Sequence, residues 1–170
     1  MPAARPPILR ELRPSDRASL ERILRATGAF DEAEVAVALE LIDAPPEEGY
    51  RFIVAEIADR VATERGPRVA GYACYGATPE TEGTYDLYWI VVDPDLHGRG
   101  IGRTLMSAAE SAIRRAGGRV MLIETAGKPS YARQRAFYEA NGCELIERVP
   151  DFYAAGDDKL VYERRLEYGA

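Results

Sequence analysis

Six residues, His97-Gly98-Arg99-Gly100-Ile101-Gly102, carry the clearest chemistry in this chain. They follow an apolar strand-like run, Leu87-Tyr88-Trp89-Ile90-Val91-Val92, and the turn Asp93-Pro94-Asp95, and they open into a helical pattern over 103–116. Glycine lets a backbone adopt positive φ and approach a ligand closely. The first turn of a helix leaves amide N–H groups unpaired, and the helix dipole favours negative charge beside them. The stretch therefore predicts an anion cradle whose ligand bears phosphate.

Two well-known phosphate loops fit poorly. A Walker-type loop, G-x-x-x-x-G-K-[ST], neutralises phosphate with a lysine, and no lysine lies near this stretch. The dinucleotide fingerprint G-x-G-x-x-G stands near the first strand of a repeated βαβ array. Here the glycines fall at 98, 100 and 102, in mid-chain and after a run of hairpin-like strands. A bare strand-to-helix turn does not need three alternating glycines.

The elements that must position this loop follow from hydrophobic period and punctuation. A short strand (β1) is expected over 8–12, ended by Pro14. Ser15 or Asp16 can cap a helix (α1) carrying Leu20, Ile23 and Leu24 and stopped by Gly28. Asp31 starts a second helix (α2), with Val35, Ala38, Leu39 and Ile42 on one face and Pro45-Pro46 at its end. The period then changes to strands over 50–57 (β2), 69–75 (β3) and 85–92 (β4), with a hairpin loop at 60–67 and a turn at 78–83. After the glycine stretch come a helix over 103–116 (α3), closed by Gly117-Gly118, and a strand over 119–124 (β5). A helix over 130–140 (α4) and a hairpin of strands 143–151 and 159–165 (β6, β7) complete the chain. The helix between β4 and β5 makes those two strands parallel. No internal repeat or linker is visible, so residues 1–170 read as a single domain.

Composition removes several functional classes. Net charge is −6 and the pI about 5.0, which argues against a nucleic-acid binder working by phosphate neutralisation. The only histidine is His97, so a histidine metal cluster or a catalytic triad is not expected, and no metal is assigned. Cys74 and Cys143 are too few and too far apart for a disulfide framework, which suits a reducing cytoplasm. No apolar run has the roughly 18 residues of a membrane span, and the first residues lack a signal-peptide core.

Residues Val92-Asp93-Pro94-Asp95-Leu96-His97-Gly98-Arg99-Gly100-Ile101-Gly102-Arg103-Thr104-Leu105 resemble the acyl-CoA-binding motif of the GCN5-related N-acetyltransferase (GNAT) superfamily, Gln/Arg-x-x-Gly-x-Gly/Ala after a strand ending V-x-P. Downstream, Arg135-Ala136-Phe137-Tyr138-Glu139-Ala140-Asn141-Gly142-Cys143 is similar to the family's helix ending F-Y-x-x-x-G-F. The match is close over 87–162 and loose over 8–77. His97 stands where Gln or Arg is usual, and Cys143 where Phe is common. Tyr131 stands where an Asn often begins the second motif, and Lys128-Pro129 lengthens that loop.

The resemblance implies an α/β (α+β) fold in the order β1-α1-α2-β2-β3-β4-α3-β5-α4-β6-β7, with a mixed, mostly antiparallel sheet and a central splayed parallel pair. It implies direct acetyl transfer from acetyl-CoA to a primary amine, with no covalent enzyme intermediate. The expected cofactor-binding residues are Ile90, Val91 and Val92 for the pantetheine arm and His97, Gly98, Arg99, Gly100, Ile101, Gly102 and Arg103 for the pyrophosphate, with Arg135 beside them. A free amine of pKa near ~10 needs a base, and a departing thiolate of pKa about 8.5 can be protonated by a tyrosine. Tyr138 is the expected acid and Glu124 the expected base, with Asp86 and Glu82 as weaker candidates acting through water. Tyr131, Arg135 and Tyr138 are expected on one helix face, at i, i+4 and i+7.

The acceptor is less legible. Residues 26–50 contain no Lys or Arg, while Asp31, Glu32, Glu34, Glu40, Asp43, Glu47 and Glu48 are acidic, which favours a small cationic amine. Arg148, Asp151-Phe152-Tyr153 and Asp157-Asp158 resemble the last hairpin of N-terminal acetyltransferases, which favours a peptide, although Lys159 stands where a small residue is usual there. A small-molecule amine is the preferred reading, a peptide N-terminus the second, and an acyl-CoA sensor without turnover the third. Neither nucleic acid nor membrane is an expected partner. Dimers are common in the family, so a homodimer is compatible with it.

Overall fold

A computed structural model of the chain describes residues 6–58 and 66–166. Most of the expected loop at 60–67 lies outside the described residues. The elements are β1 (Ile8–Arg10), α1 (Arg17–Ala26), α2 (Glu32–Asp43), β2 (Arg51–Ile57), β3 (Arg68–Ala77), β4 (Thr84–Val92), α3 (Ile101–Arg115), β5 (Val120–Ala126), α4 (Ala132–Ala140), β6 (Glu144–Ala154) and β7 (Asp157–Arg165). The seven strands run in the order β1-β2-β3-β4-β5-β7-β6. β1 is antiparallel to β2, and β7 is antiparallel to both β5 and β6, while β4 and β5 are parallel. This is the mixed, mostly antiparallel sheet with one parallel pair that the sequence implies.

The chain gathers into two compact units, Met1–Cys74 with Trp89–Ala109 and Tyr75–Tyr88 with Glu110–Ala170. The first unit closes on Leu20, Ile23 and Leu24 of α1, Val35, Ala38 and Ile42 of α2, Val54, Tyr72, Cys74 and Val91. α2 starts where expected. Asp31 accepts from the Glu34 amide at 2.9 Å, and Glu34 returns a carboxylate to the Asp31 amide at 2.8 Å. This reciprocal cap satisfies two donors that a helix start leaves open. The second unit buries Met121 and Ile123 of β5, Leu160 and Tyr162 of β7, Ile113, Tyr138 and Cys143. Cys74 and Cys143 are buried free thiols, and burial pushes the Cys143 thiol up to about 11.

Two boundaries differ from expectation in ways that touch the site. α3 begins at Ile101 rather than 103, so Gly102 is already helical. A 3-10 turn over Pro129–Tyr131 precedes α4, so Tyr131 is not on the α-helical face of Arg135 and Tyr138. Pro129 suits the first position of that turn, where no N–H is needed.

Candidate active site

In the first unit, β4 delivers the chain to a short 3-10 turn, Pro94–Leu96, and then to the glycine loop. Gly98 and Gly100 take φ of +76° and +77°. A Cβ placed on either would meet nothing within 4 Å, so packing does not demand these glycines. They supply a left-handed backbone that other residues adopt only with strain. Gly98, Arg99 and Gly100 are exposed. The first bond of α3 is donated by the Thr104 amide to Gly100 O at 3.0 Å. The amides of Ile101, Gly102 and Arg103 are therefore the open first-turn donors of a long helix. Arg99 and Arg103 are exposed, and among the described residues neither has a carboxylate partner. The loop expected as an anion cradle thus has two glycines at positive φ and a helix start with open donors, with Arg99 and Arg103 exposed in it.

Its foundation was not read from the sequence. Asp93, between β4 and the loop, is only 1% exposed. Its Oδ2 accepts from Arg22 of α1 at 2.8 Å and from Arg68 of β3 at 2.5 Å, and its Oδ1 accepts from the Asp95 amide at 3.2 Å. Its own amide donates to Ala70 O at 2.8 Å. Burial pushes the carboxyl up, and the hydrogen bonds from Arg22 and Arg68 outweigh it, holding Asp93 below the usual carboxylate range. At Gly71 of β3 a Cβ would collide with the Val91 carbonyl, so only glycine admits β4 this closely. The His97 ring donates from Nε2 to the Val92 carbonyl at 2.9 Å. The imidazole thus ties the loop to the strand end and occupies an acceptor that had been assigned to the pantetheine arm. Ile90 and Val91 complete that strand end, with Val91 buried.

In the second unit, β4 and β5 pair over only three positions, Thr84 with Val120, Tyr85 with Met121 and Asp86 with Leu122. β5 continues to Ala126 on β7 alone, with Glu124 opposite Val161 and Ala126 opposite Lys159. Within this unit the parallel pairing covers Thr84 to Asp86 and does not extend to Leu87 or Tyr88. Side chains alternate along a strand, so Asp86, Leu122, Glu124 and Lys159 share one face. Asp86 is half-buried and accepts from the Thr78 hydroxyl at 2.7 Å. Burial pushes its carboxyl up, the Thr78 bond opposes this, and the nearby Glu124 charge adds to the rise. Glu124 is exposed and bound to the Lys159 ammonium at 2.9 Å.

Tyr138 of α4 packs on the other face of the sheet. Its ring lies 5.8 Å from that of Tyr162, whose strand partner is Ile123. Tyr138 is buried, and this raises its hydroxyl above the ordinary tyrosine value. Arg135 is engaged locally. Its Nη1 donates to the carbonyls of Ala126 at 2.9 Å and Lys128 at 3.0 Å, fixing the loop that leads into α4. The acidic stretch over 26–50 is also partly engaged. Asp31 and Glu34 form the α2 cap, Glu32 binds Arg25 at 2.6 Å and Asp43 binds Arg17 at 2.8 Å. Glu40, Glu47 and Glu48 are exposed. Among the described residues no group of three or more His, Cys, Asp or Glu is placed to hold a metal ion, and no helix is long and apolar enough to cross a membrane.

Residues 48–143 match the family model of the GNAT acetyltransferase domain. A structure of a protein from Desulfovibrio desulfuricans assigned to the GNAT family is 39% identical, covering 95% of this chain and 99% of that one, with a TM-score of 0.85. YncA from Salmonella typhimurium, solved with acetyl-CoA, is 21% identical over 96% of both chains with a TM-score of 0.70. The ribosomal-protein-S18-alanine N-acetyltransferase of Escherichia coli is 19% identical over 96% of both chains with a TM-score of 0.71. No curated protein sequence matches this one. The chain belongs to the GNAT acetyltransferase family.

Proposed function

We propose that the protein moves an acetyl group from acetyl-CoA to the primary amine of a small molecule. The observation that carries acetyl-CoA binding is the glycine loop. Two glycines hold positive φ with open space above them, at the head of a helix, between Arg99 and Arg103. Such a loop offers several N–H donors to a diphosphate at once. In this reading the amides of residues 98 to 103 hold the pyrophosphate and Arg99 and Arg103 supply charge, the His97 amide being bonded to the Pro94 carbonyl, while Ile90 and Val91 offer backbone groups to the pantetheine amides. His97 and Arg135 act indirectly, by fixing the loops on which the contacts depend.

Acetyl-CoA supplies a thioester whose carbonyl carbon an amine can attack. Two protons leave the nitrogen in all, one ending on the CoA sulfur and one in solvent. The structure favours Asp86 over Glu124 as the first acceptor of a proton. A half-buried carboxyl with a raised pKa is a stronger base than an exposed one already paired with an ammonium. Tyr138 donates to the departing sulfur. Its raised pKa keeps it protonated, so its hydroxyl donates a hydrogen bond to the sulfur as negative charge develops there, and any proton it passes on is restored by one the amine has lost. Asp86 and Tyr138 both belong to the second unit, on opposite faces of its part of the sheet.

Release of free thiol from acetyl-CoA, measured with a panel of small amines and peptides, tests this. We expect release with small amines. We expect Tyr138→Phe to lower kcat by about 100-fold, the lower end of what general acids supply, with KM for acetyl-CoA nearly unchanged. Unaltered turnover in that variant removes the acid role. One observation supports a peptide acceptor instead. Phe152 and Tyr153 are half exposed on β6, their rings 5.0 Å apart and edge to face, beside Asp151, whose φ of +53° falls where the pairing of β6 with β7 shifts register. Thiol release with peptides but not small amines selects that reading, and tight CoA binding without release under any acceptor selects a sensor.

A further inference from the structure

We propose that the Tyr72 hydroxyl is the hydrogen-bonding group of the acceptor site, and that the acceptor is a primary amine whose uncharged aromatic body bears one polar atom. This rests on the acetyltransferase reading above and names its substrate class. Tyr72 lies on β3, in the core of the first unit, and is fully buried. Among the described residues its hydroxyl has no hydrogen-bond partner. A buried hydroxyl left unpaired costs free energy that a phenylalanine at the same position would not. Tyr72 therefore carries a donor that the fold itself does not use. Burial pushes the phenol far above its ordinary value, so the proton stays on the oxygen.

The surroundings of that donor define what it can hold. The core cluster that includes Tyr72 is otherwise aliphatic, apart from the Cys74 thiol, a weak hydrogen-bonding group. No carboxylate or cation belongs to the cluster, so a charge brought into it would be unpaired and costly. The Tyr72 ring stacks on Phe52 of β2, with centroids 6.3 Å apart and planes at 28°. Phe30, between α1 and α2, and Trp89 of β4 are partly buried and pack against the same core, their rings edge to face at 5.0 Å. A ligand meeting this pair finds aromatic surface first and the hydroxyl further in. Trp89 immediately precedes Ile90, which the reading above gives to the pantetheine arm, so one strand borders both substrates. An arylalkyl amine with a ring hydroxyl fits this set. Its ring packs on aromatic neighbours, its hydroxyl accepts from Tyr72, and its amine, the one charged group, stays outside the cluster. A polyamine does not fit, because it would carry charge inward.

Trp89 is the only tryptophan of the chain, so its emission reports on this site without turnover. Tyramine should change that emission saturably. It should bind about three- to tenfold more tightly than phenethylamine, which lacks the ring hydroxyl, and at least about tenfold more tightly than spermidine. Tyr72→Phe should abolish the preference for tyramine over phenethylamine. The variant should melt at or above the wild-type temperature, because it loses an unpaired group, and keep acetyl-CoA affinity within about twofold. An emission that ignores tyramine, a preference that survives in Tyr72→Phe, tighter binding of spermidine, or a variant that melts well below wild type overturns the inference while leaving acetyl transfer standing. The last of these is the result expected of a hydroxyl that serves an internal water only. Tyramine binding that depends on Tyr72 but releases no thiol from acetyl-CoA supports the site and overturns acetyl transfer at it.

Discussion

At the scale of the residue, Gly100 matters because of its backbone rather than its packing. It holds φ +77° with nothing near its missing Cβ. A valine there costs strain of about 1–2 kcal/mol in a left-handed conformation, which a folded domain tolerates, and it fills the space above the amides. Gly100→Val should therefore keep its cooperative melt yet lose at least about tenfold in acetyl-CoA affinity, a difference of roughly 1.4 kcal/mol. Calorimetric titration beside a thermal melt separates the two effects, and a variant that binds as wild type contradicts the loop assignment. Residue types were readable from sequence where the backbone conformation decides, as in the positive φ of Gly98 and Gly100. They were less readable where a partner decides. Nothing in the sequence showed that Lys159 occupies Glu124, that Arg135 bonds two carbonyls, or that His97 bonds Val92. Each partner is fixed by strand register or by a loop path, which a linear pattern does not carry.

At the scale of the element, the loop is as good as its anchor. Asp93 joins the end of β4 to Arg22 of α1 and Arg68 of β3. Removing its charge leaves two partly exposed arginines able to rehydrate, so we expect Asp93→Asn to cost about 1–3 kcal/mol rather than more. The sign of the pH effect follows from the lowered folded-state carboxyl. Its stabilisation is present above the ordinary aspartate value of about 3.9 and is lost as pH falls through the folded value. Urea melts near neutral pH and near pH 3 should show the wild type converging on Asp93→Asn in acid. KM for acetyl-CoA should rise in the variant, because the loop loses its fixed start. The order of elements was legible, since helical and strand periods alternate with glycine and proline punctuation. Boundaries moved where local chemistry outweighed period. Ile101 and Gly102 joined α3 because the helix starts inside the glycine motif, and Pro129 drew Tyr131 into a 3-10 turn. Asp93 was passed over as a turn residue because a buried carboxylate looks, in sequence, like any Asp before Pro.

At the scale of the whole molecule, the proposed reading asks an acidic chain to bind an anionic ligand. The net charge of −6 is offset locally, because many of its arginines are committed to carboxylates while, among the described residues, Arg99 and Arg103 are not. Charge committed elsewhere also weakens the argument from the acidic stretch to a cationic acceptor, since Asp31, Glu32, Glu34 and Asp43 serve the helices that carry them. Family membership was legible because two motifs fall in order on the elements that need them, and the family model spans both the strands and the loop. Acceptor chemistry was not, because it depends on side chains brought together from distant segments.

The central claim is that main-chain amides from Gly98 to Arg103 hold the diphosphate of acetyl-CoA. Titration of 15N-labelled protein with acetyl-CoA, followed by amide resonances, tests it most directly. Saturable downfield movement at Gly98, Gly100, Ile101 and Gly102, absent when pantetheine without phosphate is added, is the result expected. Binding that leaves those amides unmoved, or moves them equally with pantetheine alone, contradicts it.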